Sequence, residues 1–218
     1  MTQSVTHHLT PSLLMAYAAG SLPEAFNLMI ASHISLCDTC RAEAESYDAL
    51  GGAVLEGSDR GTSMRADSLD ETLALIAGGP SDEIERPIQV PDSILPAPVQ
   101  AYVGGDLSKV RWKPVGMGVR QAILPTSTSA TARLLHIPAG TAMPDHGHRG
   151  MEMTMVLQGA FVDGGDYFTR GDVEIADADL EHTPVADIHE DCICLAVTDA
   201  PLKFRGLLPR LAQPFLRI

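Results

Sequence analysis

At 218 residues, with 45% hydrophobic side chains and a net charge of −13, the chain has room for one large domain or two small ones and too much apolar content for a disordered chain. No apolar run reaches the ~18–20 residues that cross a bilayer, and the opening "MTQSVTHHLT" lacks a basic stretch followed by an apolar one, so no secretory signal is expected and the cytoplasm is the simplest address. Residues 1–92 hold fourteen Asp/Glu and four Lys/Arg, a net of −10, against fourteen and eleven, a net of −3, in 93–218; an acidic first half repels nucleic acid and attracts a basic protein surface.

The first ~80 residues read as helices. Thr10-Pro11 supplies an N-cap and an N1 proline ahead of "SLLMAYAA", and Gly20 stops that helix. A second helix starts at Ser21-Leu22-Pro23-Glu24 and carries Phe26, Ile30 and His33 on one face. "CDTC" turns the chain, and Asp38 or Thr39 can cap a third helix that runs to about Leu50 and ends at Gly51-Gly52. A fourth begins near Asp67-Ser68, places Leu69, Leu73 and Ile76 on one side, and ends at Gly78-Gly79-Pro80. Five prolines between residues 79 and 98 then read as a linker or an extended crossing segment. Beyond it the texture changes to short β-rich runs separated by turn residues: "VRQAILP", "ARLLHIP", "MTMVLQG", "DVEIAD" and "CICLAVTD". Such spacing suggests a sandwich or a barrel.

Two groups of residues carry metal chemistry. In "HISLCDTC" a histidine lies one helical turn before a Cys-x-x-Cys pair, so His33, Cys37 and Cys40 can face one ion. A closed zinc site wants a fourth ligand, and His7 and His8, just ahead of the first helix, are the candidates. Zinc there would tie the N-terminal arm to the junction of the second and third helices and support a bundle with a small core. A thioredoxin-like dithiol would need a preceding βαβ pattern, which is missing. "HHLTPSLLMAYAAG" with "HISLCDTCR" resembles the zinc-binding anti-sigma domain, marked by His-x3-Cys-x2-Cys and an upstream histidine. The resemblance implies His8, His33, Cys37 and Cys40 as Zn2+ ligands, with His8 preferred to His7 for its position two residues before the helix cap.

The second group lies in "GTAMPDHGHRGMEMTMVLQG", which follows G-x5-H-x-H-x3-E-x6-G. His146 and His148 alternate on a strand, and Glu152 shares their parity after the turn at Arg149-Gly150, so the three can converge while Met153 and Met155 face away. The pattern resembles the first motif of the cupin family, a β jelly-roll barrel. The second cupin motif supplies one more histidine, for which the resemblance indicates His182; the usual proline-x-glycine turn before it and the trailing asparagine are absent. The metal could be zinc or another divalent transition metal. Cys192 and Cys194, two apart on one strand, share a face and read as small core residues or as adjacent thiols open to oxidation; His136 and His189 read as structural or surface residues.

Taken together, the order of the two motifs resembles the ChrR family of anti-sigma factors almost end to end, with further similarity in "VRQAILPT", "VLQGAF", "IADADLEHTPVA", "DCICLA" and the closing "FLRI". The expected architecture is an α+β chain of two domains: a zinc-binding helical anti-sigma domain at 1–80, a proline-rich linker at 81–98 and a cupin at 99–218. The resemblance implies a non-enzymatic protein that holds an extracytoplasmic-function sigma factor in a 1:1 complex, without contacting nucleic acid or membrane. It also implies that the cupin releases the sigma factor when singlet oxygen or organic peroxides appear. The competing expectation is a cupin-type metal-dependent dioxygenase with an appended helical domain, against which stands the lack of an evident general base beyond the ligands.

Overall fold

The computed structural model describes residues 4–58, 61, 63–79, 89–177 and 181–204. Its first part holds the helices α1 (Pro11–Ala18), α2 (Glu24–Ile34), α3 (Asp38–Glu56) and α4 (Ser68–Ala77). Thr10 caps α1 as its sequence predicts, its hydroxyl accepting from the Leu13 N–H at 3.3 Å. The apolar stripe of α2 is buried along its length, including Phe26, Met29, Ile30 and His33. The fourth helix begins and ends where the Asp67-Ser68 and Gly78 signals place it.

α3 differs from expectation at both ends. Its cap is Cys37, whose Sγ accepts from the Cys40 N–H at 3.5 Å, rather than Asp38 or Thr39. A buried thiol that faces the first turn of the helix reaches the orphan N–H before either polar side chain, and Asp38 pairs instead with Arg41 at 2.6 Å. At the other end the helix runs through Gly51-Gly52 to Glu56. Neither glycine takes a positive φ, and each costs only about 0.5–1 kcal/mol inside a helix. The good helix formers behind them carry the ladder on to Gly57, whose N–H reaches the Ala53 carbonyl at 3.0 Å.

Much of the proline-rich segment expected at 81–98 lies outside the described residues, as does the closing "FLRI". Its end leads into a short helix, α5 (Ala97–Val103). The β region comprises β1 (Lys113–Gly116), β2 (Val119–Ile123), β3 (Thr131–Ile137), β4 (His146–Gly147), β5 (Glu152–Gln158), β6 (Ala160–Asp163), β7 (Asp166–Thr169), β8 (Val173–Ala176), β9 (Glu181–His182), β10 (Val185–Ala186), β11 (Cys192–Thr198) and β12 (Lys203–Phe204). Pairing is antiparallel throughout: β1-β2-β3-β11-β5-β8 form one sheet, opposed by β10-β6-β7 and β12-β4-β9. The result is an α+β chain with helices first and a cupin-like barrel behind them.

The large sheet is buried on both faces, which explains why "CICLAVT" is apolar without interruption. Alternate side chains of a strand point to opposite faces. Leu134, Met153, Met155, Leu157, Ile193, Leu195 and Val197 point outward and share one hydrophobic core with Leu14, Met29 and Ile30 of the helices. Leu135, Ile137, Glu152, Thr154, Cys194 and Ala196 point inward and line a cavity of about 650 Å³. Met153 and Met155 therefore face away from Glu152, as their parity predicts. α2 is the helix that lies against β3, β5 and β11, and Glu24 at its start accepts from the Tyr102 hydroxyl at 2.6 Å and the Ser127 N–H at 2.7 Å.

Candidate metal centres

The N-terminal arm, the end of α2 and the start of α3 meet at His8, His33, Cys37 and Cys40, which offer four donor atoms all within 4.8 Å of one another. His8 Nδ1 lies 3.3 Å from Cys37 Sγ and 3.6 Å from Cys40 Sγ. Zinc–sulfur and zinc–nitrogen bonds of about 2.3 and 2.0 Å in a tetrahedron give sulfur–nitrogen edges of about 3.5 Å, so these separations fit the ion. Between the two candidate histidines the structure brings His8 to the thiols, whereas the His7 ring packs on Phe168 with centroids 4.3 Å apart. His33 Nδ1 donates to the Gly171 carbonyl at 2.9 Å, which leaves Nε2 as the lone-pair nitrogen. That Nε2 is buried with no hydrogen-bond partner among the described residues, the state expected of a metal ligand and costly otherwise.

Burial favours the neutral forms of two of the four donors, His33 and Cys40. Burial drives His33 down to about 4, outweighing the Gly171 carbonyl that favours its cation. Burial also pushes the Cys40 thiol up to about 11, with Cys37 adding to the rise against the Leu9 N–H. Metal binding must then displace a thiol proton, so the site would release protons as it fills.

The barrel gathers the second group. β4, the turn after it and β9 bring His146, His148 and His182 together. Their Nε2 atoms converge: His182 Nε2 is 3.1 Å from that of His146 and 3.1 Å from that of His148. All three side chains are buried. Nitrogens facing one another at that distance need a proton or a cation between them, which fits a three-imidazole metal site. The outer nitrogens are held as well, His146 Nδ1 by the Pro144 carbonyl at 2.8 Å and His182 Nδ1 by Asp163 Oδ2 at 2.8 Å.

Glu152 sits to one side of this convergence. Its Oε2 is 3.4 Å from His148 Nδ1, the ring atom opposite the converging Nε2, and has no hydrogen-bond partner among the described residues, while Oε1 accepts from the Thr154 hydroxyl at 3.2 Å. Burial opposes its charge, but His148 beside it and the other two imidazoles hold its carboxyl below the usual range. It lines the cavity and is not among the donors grouped within 4.8 Å.

Two acids in this region escaped the sequence analysis. Asp163 and Glu174 form a second group with His182, within 4.8 Å. Burial works against a charged His182, yet Glu174 and Asp163 push it up to about 9; a metal at Nε2 would compete with that proton. Glu174 did leave a signal, an acid inside the apolar β8 run "VEIA" that must face inward or be exposed; Asp163 in a turn-rich stretch left none. Cys192 and Cys194 are both buried with sulfurs 3.4 Å apart. The contact with Cys192 and burial push the Cys194 thiol well above its ordinary value. His136 packs edge-on against Trp112 and lies 3.3 Å from Asp191.

Comparison with known proteins places this geometry in context. Residues 100–201 match the family described as "ChrR Cupin-like domain". Across 99% of its length the chain is 53% identical to the whole of the anti-sigma-E factor ChrR of Cereibacter sphaeroides. The crystal structure of Rhodobacter sphaeroides SigE in complex with the anti-sigma ChrR matches with a TM-score of 0.79 at 52% identity, over 89% of this chain and 99% of that one. An RmlC-like cupin of Ralstonia eutropha matches 47% of this chain and 71% of its own at 25% identity, with a TM-score of 0.41. With 53% identity along almost its entire length, the chain belongs to the ChrR family of anti-sigma factors.

Proposed function

We propose that this protein holds an extracytoplasmic-function sigma factor in a 1:1 complex, in the cytoplasm, and covers the surfaces with which it reaches promoter DNA and polymerase. The role of such a protein is regulatory, not enzymatic. The observation that carries the reading is a pair of apolar helix faces left uncovered by the rest of the described chain. On α4, Leu69, Leu73 and Ile76 follow a spacing of four and three and are exposed, Ile76 by 70%; on the last turns of α3, Leu50, Val54 and Leu55 are exposed as well. Large apolar residues on a helix set in a strongly acidic segment suit a partner that is basic around an apolar groove. Charge complementarity would speed encounter, and the apolar anchors would lengthen residence. Among the described residues no helix is long and apolar enough to cross a membrane.

Within this reading His8, His33, Cys37 and Cys40 hold Zn2+, which supplies a rigid cross-link and no chemistry, and residues 1–80 form the unit that grips the sigma factor. His146, His148 and His182, with Glu152 beside them, hold zinc or another divalent metal in the barrel, whose role is release under oxidative stress from singlet oxygen or organic peroxides. The test is co-purification of the full chain with each such sigma factor of its own cell. Replacing Leu73 and Ile76 together by Asp is expected to weaken the complex by about a hundredfold or more, as loss of two anchors does, with the fold intact. Unchanged affinity in that variant removes α4 from the interface. His146→Ala is expected to bind the sigma factor normally and fail to release it under oxidant; normal release would remove the barrel cluster from signalling.

A further inference from the structure

The turn between β7 and β8 belongs to the barrel, yet it reaches into the helical metal centre from two sides. Gly171 takes φ 93° and has no room for a side chain: a Cβ there would stand 2.7 Å from Val5 Cγ2. That close approach lets its carbonyl meet His33 Nδ1 at 2.9 Å. The next residue, Asp172, is fully buried. Its Oδ1 accepts from the Thr6 N–H at 2.6 Å, the His7 N–H at 2.8 Å and the Thr6 hydroxyl at 3.2 Å. Its Oδ2 accepts from the N–H and hydroxyl of Thr169 at 2.8 and 2.9 Å. The Val173 N–H then donates to the His7 carbonyl at 3.2 Å, and the turn itself is pinned to β5 through Gly171 N–H and the Val156 carbonyl at 2.8 Å.

We infer that Asp172 is a positioning residue of the Cys/His centre: its carboxylate fixes the Thr6–His7 backbone immediately before His8, so the barrel completes the helical metal site. Residues 4–10, ahead of α1, have no regular secondary structure of their own. A ligand on such an arm loses conformational freedom when it binds, and a buried carboxylate that holds the arm beforehand removes that cost. Thr169 holds the carboxylate, and Gly171 sets the other histidine's tautomer, so both imidazoles of the centre answer to one barrel turn. Outer-shell partners of this kind change metal affinity by about 10- to 100-fold.

This inference rests on the assignment of the metal to His8, His33, Cys37 and Cys40. The test is titration of the full-length, metal-free chain with cobalt(II), read by its thiolate-to-cobalt charge-transfer band, which reports the centre containing Cys37 and Cys40. Asp172→Asn is expected to raise the cobalt dissociation constant by about tenfold or more with the band's shape unchanged. Thr169→Val, which removes one hydroxyl donor and leaves Asp172 its N–H partners, is expected to raise it by about fivefold, the worth of one ordinary hydrogen bond. A merely structural role would lower the melting temperature of both variants and leave the affinity of the folded chain as it was. Affinities within twofold of the native chain overturn the positioning role while leaving the ligand assignment standing, and Thr169→Val decides alone should Asp172→Asn fail to fold. A native chain with no charge-transfer band overturns the ligand assignment and the inference together.

Discussion

The two clusters of candidate donors differ in how completely they could enclose an ion. The helical cluster offers two thiols and two imidazoles within 4.8 Å, from three separate stretches of chain. Four such donors fill a tetrahedron and leave no position for anything else, which suits a cross-link. The barrel cluster offers three imidazoles, with Glu152 to one side and a cavity of about 650 Å³ adjoining His146, His182 and Glu152. Three nitrogens leave an open position, and the cavity gives a small molecule somewhere to stand. On the proposed reading, one centre would hold and the other would let something arrive.

Removing one ligand from each cluster tests that contrast and should produce the largest effect. Cys37→Ala is expected to lose the metal equivalent of the helical centre and to lower the melting temperature by more than about 10 °C, because binding energy at a structural site is folding energy. His146→Ala is expected to lose the other equivalent with a fall of only a few degrees, about 1–2 kcal/mol. Elemental analysis and calorimetry on both variants measure this. If the barrel variant proved the less stable of the two, the division between holding and sensing would be reversed.

A second contrast, between covered and uncovered helix faces, predicts a smaller effect. Met29 on α2 is 0% exposed and lies in the core that the helices share with the barrel. Met29→Ala should cost about 2–5 kcal/mol in urea unfolding, from lost transfer energy and the cavity left behind. The same truncation at Ile76 on α4, 70% exposed, should change stability by less than about 0.5 kcal/mol. A large loss at Ile76 would mean that α4 packs within the chain and is not free for a partner.

Much of this organisation is legible in the sequence, and the gaps have physical causes. The Thr10-Pro11 cap, the α2 stripe and the five main strands of the large sheet follow from local rules of capping and periodicity. Of the donors that the structure groups, His33, Cys37 and Cys40, and the pair His146 and His148, are close in sequence and legible from spacing, whereas the choice of His8 over His7 and the choice of His182 come from resemblance. α3 runs past its expected end because two exposed glycines weaken a helix without ending it. The two-residue strands β9 and β10 are too short to show a period. The largest omission is the contact between Asp172 and the N-terminal arm, which joins positions 165 and 166 residues apart; no local pattern records such a partner. The same segment continues to Glu174, whose Oε1 is 3.7 Å from His182 Nδ1, so residues 172–174 touch the backbone beside one cluster and a member of the other.

Acid supplies the finest test of that stretch. Burial works against an ionised Asp172, but the N–H groups of His7, Thr169 and Thr6 and the Thr169 hydroxyl hold its carboxyl below the ordinary range. A carboxylate depressed in the folded state contributes stability that is complete above its unfolded value of about 3.9 and is lost as pH falls through the folded value. The imidazoles nearby are His7, with Nδ1 3.7 Å from Oδ1, and His33, whose cation Asp172 favours through space. Both imidazoles are present in the native chain and in Asp172→Asn, so much of their effect cancels in the difference between the two. In metal-free protein that difference in unfolding free energy should be about 2 kcal/mol near pH 6, the worth of hydrogen bonds to a charged acceptor. It should shrink steadily below about pH 4 as the native carboxylate takes up its proton and comes to resemble the amide. Urea titrations of both chains across this range measure it. A gap that stays constant down to about pH 2 would mean that the shape of the Asp172 side chain, rather than its charge, holds the arm in place.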